Sequence, residues 1–232
     1  MIWSFTALTQ AERCMHAFRA KYITKTLPFA PSPAADYGVQ VHKLMEKHVK
    51  DGAAFPPDFS WLKEFVPVRQ PEQTHFAEMP LALRADGTVC GFWDKDCWFR
   101  GKADFLSLTP SSADAPAVAI LLDWKTGKPL DDSVQLELSA LCLFAHHPDV
   151  QAVQTMFVWL KECTGVWAHD FDCRTDLRVS RAQIPDLWAK IMPRAAELEQ
   201  RHREMDFPPK PGRSCKWCPV QSCPFNGDDH SR

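Results

Sequence analysis

The feature that most constrains this chain is the run AVAILLDWKTG, Ala117 to Gly127. It is apolar without a break to Leu122 and then meets an acid, an aromatic and a base: Asp123, Trp124 and Lys125. A strand that is apolar on both faces belongs in the middle of a sheet. It therefore obliges the rest of the chain to supply neighbouring strands and covering helices. Side chains two apart on a strand point the same way, so Asp123 and Lys125 share a face at its end. Opposite charges held side by side at the margin of an apolar core perturb one another and mark a candidate site; a structural ion pair is the plainer alternative. D-x-K alone is a weak signal, expected by chance about once in a few hundred residues.

The flanking sequence supplies the required elements. An apolar stripe of Ala7, Cys14, Ala17 and Phe18 predicts one helix from about Thr6 to Tyr22. After the proline-rich PFAPSPAAD, Asp36 is placed to cap a second helix, in which Val41, Leu44, Met45 and Val49 share a face and His42 falls at its rim. Residues 53 to 72 read as a short helix and loops. HFAEMPLALR and TVCGFWD read as strands of a hairpin about Asp86-Gly87, with Glu78 as a solvent-facing strand residue in preference to a carboxylate backing the site. CWFRGKADFLSL then precedes the central strand. The next stretch, capped by Asp132 or Ser133, is a helix apolar almost all round. VQTMFVWLKEC and GVWAHDFDC predict two more strands, residues 181 to 205 an amphipathic helix, and the rest an irregular tail. This is an α/β class: a mixed sheet with helices packed against it.

Composition narrows the function classes. At 232 residues, 45% hydrophobic and 24% charged, the chain is an ordinary globular protein in size and make-up. A net charge of −2 argues against holding nucleic acid by bulk charge, though Arg13, Arg19, Lys21 and Lys25, and then Lys210, Arg213 and Lys216, form local basic groups. No apolar run approaches the ~18 residues of a membrane span, and MIWSFTALTQ is not a secretory signal, so a cytoplasmic protein with no membrane partner is expected. An odd number of cysteines, nine, fits a reducing compartment better than a disulfide framework. Cys90, Cys97, Cys142, Cys163 and Cys173 lie in apolar or strand-like surroundings and read as structural. Cys215, Cys218 and Cys223, crowded into nine residues, read as ligands.

A second acid, Asp104, lies in the preceding strand between apolar residues, where an unpaired carboxylate is costly. Adjacent pairing brings it beside Asp123. Two carboxylates and a lysine at one sheet end suit Mg²⁺, or Mn²⁺ if an imidazole such as His42 joins them. That chemistry serves phosphodiester hydrolysis.

GVQVHKLME, GKADFLSL, LLDWKTG and QLELSAL, in this order, resemble the RecB-like branch of the PD-(D/E)xK nuclease superfamily. SFTALTQAERCMHAFRAKY resembles that branch's first helix, and FPPKPGRSCKWCPVQSCPF the cysteine-rich tail of its iron–sulfur members, such as CRISPR-associated RecB-like exonucleases and the AddB nuclease domain. The resemblance implies a restriction-endonuclease-like core over residues 36–205, with 1–30 and 206–232 forming a cluster-binding part of one nuclease domain, 1–232. It implies His42, Asp104, Asp123 and the Trp124 carbonyl as metal ligands, Lys125 as the group that orients water or stabilises the transition state, and Gln135 as its positioner. Ser139 stands where this branch usually has tyrosine. Cys14, Cys215, Cys218 and Cys223 would hold a 4Fe–4S cluster; by spacing alone zinc remains the alternative. The implied partner is DNA, single-stranded and attacked from an end, in recombination, repair or CRISPR spacer acquisition with protein partners. A non-cleaving DNA-binding or assembly subunit is the second reading.

Overall fold

The computed structural model describes residues 1–27, 32–127, 134–160 and 174–228, the side chains of 174–176 excepted. They divide into two compact units, one of residues 31–187 and one built mainly of 3–30 with 188–232.

The larger unit contains the sheet. Strands β1 (Thr74–Leu83), β2 (Phe99–Thr109), β3 (Val118–Lys125), β4 (Ala152–Trp159) and β5 (Arg174–Ser180) lie side by side in sequence order. β3 is the third of five, the central place its apolar run requires. Every pairing is antiparallel except β3 with β4. A parallel pair needs a crossover, and the helix Val134–His146 provides it. The helix Pro33–Asp51 packs Val41 and Met45 against Phe105, Leu122 and Trp124, with Leu62 and Phe65 closing the cluster. The crossover helix buries Leu136, Leu138, Leu141, Leu143 and Phe144, which accounts for its apolar character all round.

In the order of the chain the α-helices among the described residues are α1 (Phe5–Arg13), α2 (Met15–Phe18), α3 (Pro33–Asp51), α4 (Val134–His146) and α5 (Ile184–Arg203). The smaller unit joins α1, α2 and most of α5 through Trp3, Leu8, Phe18, Ile191 and Leu198, all nearly inaccessible. A two-pronged ion pair, Arg194 to Glu12 at 2.7 and 2.8 Å, and a hydrogen bond from Trp3 Nε1 to Glu199 at 3.0 Å tie its ends together.

Three expectations are corrected, and a fourth falls outside the described residues. The first helix is not continuous: Cys14, extended at φ −167° and ψ 112°, separates α1 from α2, and a π-helical turn follows over Arg19–Ile23. Asp36 does not cap α3; Ser32 stands at the cap and Pro33 opens the first turn, where a missing N–H costs nothing. Asp86-Gly87 does form a tight turn, with Gly87 at φ 81° and Arg84 N–H bonded to Thr88 O at 2.8 Å. The pairing goes little beyond the Leu83–Val89 bridge: the Cys90 N–H reaches Ala82 O at 3.3 Å, but the Ala82 N–H is taken by His146 Nε2 at 3.1 Å. The last strand is Arg174–Ser180; GVWAHDFDC, with Cys163, Cys173, Asp132 and Ser133, lies outside the described residues. Among those residues no helix is long and apolar enough to cross a membrane.

Candidate active site

The ladder between β2 and β3 ends at Phe105 opposite Leu122, whereas β2 stays paired with β1 as far as Phe99. Beyond Leu122 the two strands therefore part. Parting leaves the Trp124 N–H without a ladder partner, and a buried N–H must be satisfied. Asp104 does this: its Oδ2 accepts the Trp124 N–H at 2.9 Å. The Trp124 indole, 1% exposed, donates to Phe65 O at 3.2 Å and anchors the same end of β3 in the core. One carboxylate is thus held by the gap that separates it from the next strand.

Asp123 and Lys125 flank Trp124 and point the other way. Lys125 Nζ lies 2.8 Å from Asp123 Oδ2 and 3.0 Å from Gln135 Oε1, and the Gln135 amide donates to the same Asp123 oxygen. Gln135 comes from the first turn of α4, so the crossover that makes β3 and β4 parallel also delivers a side chain to the carboxyl end of β3. From α3, His42 brings Nδ1 to 3.2 Å from Asp104 Oδ1. A close approach allows it: a Cβ on Gly38, one turn earlier, would stand 3.1 Å from Thr126 Oγ1 just past β3. The sequence-predicted His42, Asp104, Asp123, Trp124, Lys125 and Gln135 thus meet at one place. Ser139 does not join them; its hydroxyl bonds back to Gln135 O at 2.8 Å within α4.

The residue that sequence reasoning placed in solvent is Glu78. Its Oε1 lies 4.0 Å from His42 Nδ1 and its Oε2 accepts from Lys102 at 3.1 Å. One ligand atom each from His42, Glu78 and Asp104 falls within 4.8 Å of the others, which among the described residues no other such group achieves. Glu78 has φ +52° inside a strand, the left-handed region that a residue with a side chain enters at a cost. The signal for it was register: Ala77 pairs with Phe105 and Met79 with Ala103, which sets Glu78 opposite Asp104.

So many charges in little water shift one another. Burial pushes Asp123 up to about 7, with the like charge of Asp104 adding to the effect and Lys125 opposing it. Burial works against a charged His42, but its hydrogen bond to Asp104 and the charges of Asp104, Asp123 and Glu78 outweigh this and raise it. Oxygen donors with one imidazole suit Mg²⁺ or Mn²⁺. A cation placed among them would relieve the repulsion between the carboxylates.

A family model described as the PD-(D/E)XK nuclease superfamily matches residues 2–82 and 60–224. The chain belongs to the PD-(D/E)XK nuclease superfamily. The mixed sheet flanked by helices is the α/β core expected of it, and the family together with the His42, Glu78 and Asp104 group makes the chain a metal-dependent nuclease in outline, with DNA as the implied substrate. The crystal structure of SSO0001 is similar over 97% of this chain and 87% of its own, at 14% identity and a TM-score of 0.47. No curated protein matches the chain significantly.

The four cysteines predicted as cluster ligands all lie in the smaller unit. Cys14, Cys215, Cys218 and Cys223 line one cavity of about 730 Å³, with Arg13, His16, Lys21 and Lys210 also on its wall. The extended conformation that breaks the first helix is at Cys14 itself, and its sulfur accepts the Lys210 N–H at 3.5 Å. Cys90, Cys97 and Cys142 are free and buried in the larger unit.

Proposed function

We propose that this chain is a DNA exonuclease that removes nucleotides from an end of single-stranded DNA with Mg²⁺ or Mn²⁺. The observation that carries the reading is the convergence of His42, Glu78 and Asp104 beside the bonded set Asp123, Lys125 and Gln135, where β2 and β3 part. His42, Asp104, Asp123 and the Trp124 carbonyl would hold the metal, with Glu78 adding a carboxylate from β1. Such an ion would supply positive charge that favours ionisation of a water and offsets the phosphate oxygens. Lys125 contributes a point charge aimed at the scissile phosphate, where it stabilises charge that develops in the transition state. Gln135 holds the lysine by its Oε1 and Asp123 by its amide, so that neither side chain has to reorganise during the reaction.

Cys14, Cys215, Cys218 and Cys223 hold a structural 4Fe–4S cluster in the same proposal. The four line one cavity, and the motif likeness to the iron–sulfur members of the RecB-like branch favours a cluster over zinc. The end-directed, single-strand preference, and work in recombination, repair or CRISPR spacer acquisition with protein partners, are supported by the motif likeness to the RecB-like branch.

The test uses anaerobically purified protein with Mn²⁺ on linear and circular single-stranded DNA, beside Lys125→Ala. The wild type shortens the linear strand and spares the circle, and Lys125→Ala is slower by at least ~10²-fold. Undiminished cleavage by Lys125→Ala overturns the assignment of the site, and cutting of the circle overturns the exonuclease. Brown protein containing iron and sulfide supports the cluster; colourless zinc protein replaces it.

A further inference from the structure

The turn that follows the failed hairpin carries a large aromatic side chain that the fold leaves in solvent. Trp93 is 79% exposed, although burying an aromatic ring is among the largest stabilising contributions a chain can make. It is nevertheless held firmly. Asp94 accepts the Gly91 N–H at 2.8 Å and returns its own N–H to Gly91 O at 3.0 Å, and a Cβ on Gly91 would come within 2.6 Å of that carboxylate. Asp94 O then takes the Cys97 N–H, and Trp98 N–H bonds Leu83 O at 2.8 Å, which returns the chain to the sheet. The acids of the turn are compensated, since Arg84 lies 3.6 Å from Asp94 and 2.6 Å from Asp96.

Beneath the ring lies Arg100. Its guanidinium carbon is 4.8 Å from the Trp93 centroid and 5.4 Å from that of Phe92, and Nη1 donates to Phe92 O at 3.1 Å. Arg100 is the second residue of β2, and alternation puts Arg100, Lys102 and Asp104 on one side of that strand. Lys102 is already tied to Glu78 of the metal group. From Asp104, then, a cationic line runs along β2 and ends about 13 Å away under an exposed indole.

We infer that Trp93, backed by Arg100, is a stacking platform for one unpaired base of the DNA strand whose phosphodiester lies at Asp104 and Asp123, with Lys102 and Arg100 following the intervening phosphates. Aromatic rings reinforced by arginine along a basic track are how single strands are held without reading their sequence. Thirteen ångströms corresponds to about two to four nucleotides, according to how far the strand is extended beyond ~3.4 Å per step. A base within a duplex offers no free face at that point, so the platform makes the site demand unpaired DNA for that length. The inference rests on the nuclease reading.

Binding and cutting are measured separately. Affinity for end-labelled single-stranded oligonucleotides is taken in EDTA for the wild type, Trp93→Ala and Trp93→Phe, and cleavage is followed with Mn²⁺. A series of oligonucleotides carries a single abasic residue stepped along the strand. Trp93→Ala binds about 5- to 150-fold more weakly, and Trp93→Phe recovers most of the loss. The wild type is penalised by an abasic residue at one position two to four nucleotides from the cleaved bond, and Trp93→Ala is indifferent to it. If the wild type cuts DNA and Trp93→Ala binds and cuts equally well, or both variants feel the same abasic penalty, this inference falls and the nuclease stands. A wild type that neither binds nor cuts overturns both.

Discussion

The carboxylate site and the cysteine-lined cavity are finished to different degrees by the polypeptide itself. In the first, each acid already has its partners. Asp104 takes a backbone N–H and faces His42, Asp123 takes Lys125 and Gln135, and Glu78 takes Lys102. In the second, among the described residues, the one hydrogen bond to a ligand sulfur joins Lys210 to Cys14, and no three sulfurs converge. The difference is one of chain connectivity. The acids and the lysine sit on neighbouring strands whose ladder positions them before any ion arrives. The cysteines lie on segments nearly two hundred residues apart, 196 between the two partners of that bond; these segments meet through Ala17, Ala20 and Val220 and through the His16 N–H on Pro208 O, and the proposed inorganic centre would join them further. A preorganised site should therefore lose chemistry without losing fold, and an unfinished one should lose fold.

The largest effect tests the first half. Asp104→Asn keeps an acceptor for the Trp124 N–H and removes the charge. Cleavage should fall by ~10³-fold or more with the melting temperature unchanged, while Asp104→Ala should in addition destabilise by about 1–3 kcal/mol, as an orphaned buried N–H does. Equal melting temperatures for the two variants would mean that Asp104 does not hold the strand end. The second half predicts that Cys218→Ser, or removal of iron by a chelator, weakens the smaller unit by roughly 3 kcal/mol or more. Hydrogen exchange in α1 and α5 should speed up while β2 and β3 stay protected; uniform exchange in both units would contradict the contrast.

The third effect is smaller and depends on pH. Asp123 has its folded pKa raised to about 7, so the metal-free fold binds that proton more tightly than the unfolded chain does. Stability contributed by this group is present below the ordinary carboxylate range near 4 and is lost as pH rises through about 7. His42, also raised, acts in the same direction near neutrality. Metal-free Asp123→Asn should therefore be more stable than the wild type at pH 8, by about 1–4 kcal/mol, with the advantage gone at pH 4. Calorimetry in chelator across that range checks it. A wild type more stable than Asp123→Asn at pH 8 would show that the Lys125 pair outweighs burial.

How much of this was legible in the chain follows from the range of each interaction. Asp123 and Lys125 could be read because strand alternation is local and the run before them is apolar. Asp104 could be read because a carboxylate among Ala103, Phe105 and Leu106 needs a reason. Glu78 could not, because it became a site residue through its opposition to Asp104 and a left-handed backbone, and neither exists until β1 and β2 have registered. The Cys14 break was hidden for a related reason. Ala7, Ala17 and Phe18 keep a helical rhythm across it, while what sets Cys14 apart is Lys210, far along the chain. Asp86-Gly87 misled in the opposite way: the local turn formed as its chemistry demands, but the β1 N–H that would extend the hairpin, at Ala82, is taken by His146 from α4.

The parting of β2 and β3 has a consequence for how this protein can be watched. The Trp124 amide is bonded to a side-chain carboxylate instead of a neighbouring strand, and that carboxylate belongs to the group that would hold the ion. Its proton resonance therefore reports on the electron density of Asp104 directly, and a single backbone amide becomes an optical-free gauge of site occupancy, readable by magnetic resonance during a titration with Mg²⁺ and no substrate.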